Sequence, residues 1–415
     1  MKQVFTRILG IEISYTTKVE DFIKHNGPKI TYTKQPLQSE FFIRNNELLY
    51  DQGINDIQIT MGEWDEVPCF FSAGDKSSIP FDIFAASFYL LSRYEEYLPH
   101  IKDIHGRFSP KESIAYKHHF LQLPIVEMWA LKFFEKLKER FPDIVRSPKA
   151  YQYISIIDVT SSHGFAHKGL VRNIAGMFLD LSSFKIGRMF RRILVWTRIR
   201  KDPYDNFTYL TDLHKERAVR SMFFFLFAEY STYDKNVSPN NNKFRYLIKS
   251  IADYSIVSLA TSYASFGNIE LLKKEKKRLA NVINRPINYS RSRYNRVDIP
   301  ETYRDLVAVE FTDDYTMGYT HEVGFRAGTC IPFYFYDILM EVQQPIRIHP
   351  FAIHDYALQD FKDKEEVLAL VTSLYENVKT VQGDFVTIFS NELLGGEHAI
   401  DWKDLYQSVL EKYAV

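Results

Sequence analysis

Residues 153–168 read YISIIDVTSSHGFAHK. An apolar run, Ile154 with Ile156 and Ile157, stops at Asp158, and a polar loop carrying His163 and His167 follows at once. A buried strand that delivers a carboxylate from its C-terminal end is how parallel α/β folds present chemistry. A single Asp after an apolar run also serves as a turn or cap residue. The recurrence of the pattern downstream favours the first reading.

Short apolar runs alternate with helical stretches from Tyr151 onward. Strands are expected over 153–158, 221–227, 256–259, 287–290, 309–312, 346–353 and 384–389, with helices between them and a largely loop insert after Thr312. The expected fold class is α/β, a deformed β/α barrel of about seven parallel strands preceded by a smaller α+β domain. Right-handed crossovers put the C-terminal ends of all these strands on one side. The residues just past them are Asp158 with Thr160, Glu229, Ala260 with Ser262, Arg291 with Arg293, Asp313 with Asp314, His354 with Asp355, and Ser390 with Asn391. In a barrel they ring one mouth, where sites are found.

The 415 residues suit two domains, divided here as 1–149 and 150–415 with the linker at Arg146–Lys149. Strands are expected near 7–15, 29–33, 40–49, 57–60 and 67–71. Two helices follow, one opened by Pro80 and stopped by Pro99, the other between Pro124 and Pro142. Arg93, Glu95 and Glu96 read as a salt-bridged helix end, and no chemistry is assigned to this domain. The 52 basic and 52 acidic residues cancel, so no attraction to nucleic acid is implied. The 33 Phe and 27 Tyr suit a large core, and tyrosines in a cleft also suit sugars. Cys69 and Cys330 read as reduced, buried thiols. No segment is long and apolar enough to span a bilayer, the first residues lack a signal-peptide pattern, and a cytoplasmic location is expected.

Several stretches together resemble a known family: IIDV, DPYDNF (202–207), YDKNVSPNN (233–241), SYAS (262–265), Ser290-Arg291, and above all DYTMGY followed by GFRAGTCIPFYFYD (314–337). They are similar to the polysaccharide deacetylases, the fourth class of carbohydrate esterases, in a bacterial branch with an extra N-terminal domain. The resemblance implies a deformed β/α barrel that holds one divalent metal, usually zinc, through an Asp and two His. It implies an Asp acting as base toward a metal-activated water, and a late His acting as acid. Such chemistry needs the metal, because a neutral amide is a poor electrophile and water a poor nucleophile.

The chain departs from that pattern at every metal position. The Asp-x-Asp motif is Asp158-Val159-Thr160, so the base position is kept and the ligand position is Thr160. The two His positions are Ala260 and Arg293, and the late His before Asn391 is Ser390. An Arg cannot lose its proton to ligate, and its charge repels a dication. No metal is therefore expected, zinc entering only if His163 and His167 rebuild a site. Asp158 remains in the base position without its old task. Arg291, Arg293, Asp314, Tyr319, Arg326, Asp355 and Asn391 are the expected substrate-binding residues. By the resemblance Arg326 lies beside the pocket and orients the catalytic Asp; a purely structural pairing is the alternative.

The leading expectation is a pseudoenzyme that binds a glycan or sugar-linked ligand in bacterial surface-polysaccharide biology. One alternative is an active hydrolase, a deacetylase of N-acetylated sugars that uses Asp158 with a rebuilt or absent metal site; without metal, Arg293 would be a fixed charge for the oxyanion. Another is a scaffold partner of an active biosynthetic enzyme. Residues 184–201, FKIGRMFRRILVWTRIRK, carry seven Lys or Arg and no acid. They read as a helix with a solvated basic face, or as a peripheral contact with anionic lipid.

Overall fold

A computed structural model describes residues 1–147, 149–396, 398 and 400–414. Pro148 of the expected linker lies outside the described residues. Two compact units divide the chain, each built from several stretches: Met1–Gln152 with Gly324–Pro350 and Leu374–Phe385, and Tyr153–Val323 with Phe351–Ser373 and Val386–Val415.

The first unit is packed by aromatic rings. Trp129 is fully buried in the helix Ile125–Arg140 and its indole donates to the Pro68 carbonyl. Phe5, Phe84 and Phe133 meet at 5.4–6.0 Å between ring centres. The strand expected near 7–15 is absent: residues 7–9 end a helical segment, Gln3–Leu9, and residues 10–15 form neither helix nor strand. Val4, Phe5, Ile8 and Leu9 lie on one helical face, and all four are buried. The expected loop after Thr312 contains an antiparallel hairpin, Phe333–Asp337 with Val342–Ile348. Its first strand, FYFYD, alternates between buried and half-buried positions with the period of two that marks a strand. The sheet class is therefore mixed rather than all-parallel. Cys69 and Cys330 are free and buried, and burial pushes the Cys69 thiol up to about 11.

The second unit carries, apart from Gln152, Asp384 and Phe385, the strands β1 (Gln152–Val159), β2 (Arg220–Leu226), β3 (Ile256–Thr261), β4 (Tyr289–Ser292), β5 (Asp313–Asp314), β6 (Ile353–His354) and β7 (Asp384–Ser390). Their hydrogen-bonded order is β5-β4-β3-β2-β1-β7-β6. The ladders from β1 to β5, and that between β6 and β7, are parallel. Helices α1 (Leu170–Ser182), α2 (Ile186–Trp196), α3 (Phe207–Glu216), α4 (Asn242–Ala252), α5 (Ile269–Ile283) and α6 (Glu301–Ala308) fall between strands. After β6 come α7 (Lys364–Thr380), α8 (Asn391–Gly395) and α9 (Trp402–Tyr413).

Alternation along β1 to β3 gathers Ile154, Ile156, Met222, Phe224, Leu226 and Ala260 on one inner face, with Val386 and Ile388 from β7. Asp158 continues the Ile154–Ile156 series and stands at the end of that apolar face. The sheet is strongly curled here. Arg291 on β4 and Asp158 on β1 are three strand steps apart, about 14 Å in a flat sheet at ~4.8 Å per step. Yet their side chains hydrogen-bond directly.

Candidate functional site

Asp158 and Arg291 form the centre of the site. Arg291 Nε donates to both Asp158 oxygens, at 2.8 and 2.9 Å, and its Nη1 donates to the Tyr315 carbonyl at 2.8 Å. The guanidinium also lies over the Phe351 ring, 5.1 Å from its centre. His354 extends the pair into a row of titratable groups. Its Nε2 is 3.7 Å from Asp158 Oδ2, and its Nδ1 is 2.8 Å from Asp355 Oδ1. Asp355 Oδ2 is fixed by the Ser390 amide and hydroxyl, at 2.6 and 2.7 Å.

Burial alone would raise the Asp158 carboxyl, but Arg291 and then His354 outweigh it and hold the group below the usual carboxylate value. Burial alone would lower His354, but Asp158 and Asp355 outweigh it and hold the imidazole above its usual value. The cluster is a buried row of Arg291, Asp158, His354 and Asp355. The two carboxylates favour the protonated form of the imidazole, while its Nδ1 also lies 3.3 Å from the Tyr356 amide.

The motifs that carry the resemblance fasten the loops around this row. Asp202 of DPYDNF accepts from the amides of Gly164, Phe165 and Ala166 at 2.7–2.8 Å, which clamps the turn after β1. Asp234 of YDKNVSPNN accepts from the Tyr263 amide at 2.9 Å. Asn236 accepts from the Ser162 amide at 2.9 Å and donates to the Leu226 carbonyl at 2.7 Å. Ser262 donates to Glu275 at 2.7 Å, and burial pushes that carboxyl up to about 7.

Zinc, which the resemblance implies, does not fit the donors at these positions. The Thr160 hydroxyl donates to the Glu392 carboxylate. Ala260 belongs to the apolar face and sits in register beside Arg291. Arg293 lies over the Tyr294 ring, 4.5 Å from its centre, and its Nη2 is 3.4 Å from the Tyr233 carbonyl. His163 and His167 do approach each other, with ring centres 4.8 Å apart. Among the described residues, however, no group of three His, Cys, Asp or Glu side chains gathers to hold a metal ion.

The other expected residues are spread out. Asp314 is enclosed by Ser290, the Thr316 amide and the Thr316 hydroxyl at 2.8–2.9 Å. Asn391 donates to the carbonyls of Ser161 and Tyr204 at 3.0 and 3.1 Å, and its buried Oδ1 accepts no hydrogen bond among the described residues. Tyr319 is buried. Arg326 belongs to the first unit, where it pairs with Glu96 at 2.8 and 2.5 Å, and Arg93 joins the same carboxylate at 2.8 Å.

Sequence reading assigned no role to His354, although it placed the residue at the mouth. It expected tyrosine-rich loops with Arg326 to form the binding face, but it did not single out the aromatic group past β2, β3 and β4. Tyr233 and Tyr263 stack at 4.1 Å, and Tyr294 meets Tyr263 edge-on at 5.6 Å. Arg296 lies over Tyr263 and Phe266, at 4.1 and 3.8 Å. The available signal was position: each of these tyrosines falls a few residues after a strand end. Lys168, in the loop after β1, donates to Ser161 at 3.1 Å and is pushed down to about 8 by burial.

Residues 1–142 match the model of a family of unknown function, DUF7033. No curated protein sequence matches the chain. Among solved structures, the chain is similar to one described as a polysaccharide deacetylase from Mycobacterium smegmatis, at 13% identity and TM-score 0.43, over 65% of this chain and 87% of that one. It is similar to the polysaccharide deacetylase Bc1974 from Bacillus cereus at 12% identity and TM-score 0.31, over 63% and 86%. It is also similar to a Puue allantoinase at 10% identity and TM-score 0.38, over 63% and 83%.

Proposed function

We propose that this chain is a deacetylase-like pseudoenzyme that binds a glycan or a sugar-linked molecule without a metal, on the cytoplasmic side of bacterial surface-polysaccharide assembly. The observation that carries the reading is the fate of the metal positions. Thr160 is engaged by Glu392, Ala260 has no donor, and Arg293 rests on Tyr294. A dication would meet a guanidinium there in place of an imidazole. The base position, Asp158, is tied to Arg291 through both oxygens, which makes it a weak proton acceptor.

The binding face in this reading is the rim of Tyr233, Tyr263 and Tyr294 with Arg293 and Arg296. Aromatic faces pack on the C–H groups of a sugar ring while hydroxyls and guanidinium groups meet its oxygens. The test is calorimetric titration of the purified chain with neutral and uronic-acid oligosaccharides. Binding lost in Tyr263→Ala supports the reading, and no binding to any sugar contradicts it.

His354 favours a second reading. An imidazole held above its usual pKa beside Asp158 is the proton donor that a metal-free hydrolase would need. Release of acetate from N-acetylated oligosaccharides, abolished in His354→Gln, would select this reading over the pseudoenzyme.

A further inference from the structure

The helical hairpin α1–α2 is inside out. The buried residues of α1 are Asn173 and Asp180, and those of α2 are Arg192 and Val195. Arg192 donates through Nε and Nη2 to Asp180 Oδ2, at 3.0 and 2.8 Å, so a buried ion pair locks one helix to the other. Gly176 makes room for this lock, since a Cβ there would lie 2.4 Å from the Arg192 guanidinium. The apolar side chains point the other way. Of the twenty-six large apolar residues exposed among the described residues, eleven fall between Leu170 and Ile199. Phe184 is 88% exposed, Val171 80%, Phe178 69% and Phe190 59%. An apolar face of this extent on a locked hairpin marks an interaction surface.

Charge identifies the occupant. Residues 170–201 hold eight Lys or Arg and one acid, Asp180, which the buried pair consumes. A second copy docking symmetrically would set this basic face against itself. An anionic bilayer surface accepts both features: apolar side chains enter the acyl boundary while Lys185, Arg198 and Arg200, all exposed, meet lipid phosphates. Trp196, half exposed at the end of α2, is of the type that settles at that boundary.

We propose that α1–α2 is a peripheral membrane-docking hairpin selective for anionic lipid. No helix among the described residues is long and apolar enough to cross a membrane, so the hairpin would lie on the bilayer and not span it. The inference does not rest on the glycan reading.

The test is flotation of the full chain with vesicles of phosphatidylcholine alone, or of phosphatidylcholine with phosphatidylglycerol, at low and high salt. Flotation with the phosphatidylglycerol vesicles alone, weakened by salt, is the expected result. Lys185→Glu with Arg198→Glu and Arg200→Glu should lower partitioning about tenfold or more. Phe178→Ser with Phe184→Ser and Phe190→Ser should do the same through loss of insertion. The single variant Phe184→Ser carries the same test if the triple variant fails to fold. Equal partitioning into both vesicle types, or none into either, overturns the proposal. So does a dimer that the serine variants split, which would give the face to a second copy.

Discussion

Arg291 Nε donates to both carboxylate oxygens of Asp158, at 2.8 and 2.9 Å, across a span of the sheet that only its curl makes short. Removing the cation would leave a buried carboxylate without its main partner. Arg291→Met should therefore destabilise the protein by about 3–5 kcal/mol. Asp158→Asn with Arg291→Met should cost less than the sum of the two single changes, because both charges go together. Urea unfolding of the two single variants and the double variant measures this coupling, and strict additivity would refute it.

The two middle members of the same row set pH dependences of opposite sign. The depressed Asp158 contributes stability that is fully present above its ordinary value of 3.8 and lost as pH falls through its lower folded value. The raised His354 contributes stability that is fully present below its ordinary value of 6.5 and lost as pH rises through its higher folded value. The stability gap between the unaltered chain and His354→Gln should therefore shrink as pH climbs above 6.5. The gap to Asp158→Asn should shrink toward acid. Urea midpoints across the pH range check both signs.

Arg326 gives a prediction in the first unit. Burial would raise the Glu96 carboxyl, but Arg326 and Arg93 together push it down to about 2. Arg326→Ala should destabilise by about 3–5 kcal/mol, because it removes one of two cations from a buried carboxylate. It should leave sugar affinity unchanged once the protein is folded. Thermal unfolding and calorimetry on the same sample separate the two effects.

The tyrosine rim predicts a change in binding without a change in fold. Tyr263→Ala removes the face that stacks on Tyr233 and carries Arg296. Sugar affinity should fall about tenfold, near 1.4 kcal/mol, with the melting temperature little changed.

Much of the second unit was legible in the sequence because buried parallel strands are short apolar runs. Those at Tyr153, Ser221, Ile256 and Asp384 match β1, β2, β3 and β7 within one or two residues. The reading was weakest where strands are short or polar. The expected strand over 309–312 is realised as β5 at Asp313–Asp314, and the stretch 346–353 is divided between the antiparallel hairpin and β6. The sequence also placed Asp158, Arg291 and Asp355 among the site residues, since each follows or ends an apolar run. Arg293 was the expected partner of Asp158, in the metal's place, but Arg291 is the residue that pairs with it. Side chains two apart on a strand share a face, so Arg291 and Arg293 are equivalent by alternation. Backbone geometry beyond the strand then turns Arg293 onto Tyr294, whose φ is +59°. The sequence did not place Arg326, whose partners Glu96 and Arg93 lie more than two hundred residues away.

We propose that the site around Asp158 holds no metal. Elemental mass spectrometry on the purified chain, incubated with excess zinc and then desalted, tests it most directly. Far less than one zinc retained per chain is the expected result. One tightly held zinc per chain, lost when His163 and His167 are changed to Ala, would contradict it and restore a metal-dependent deacetylase.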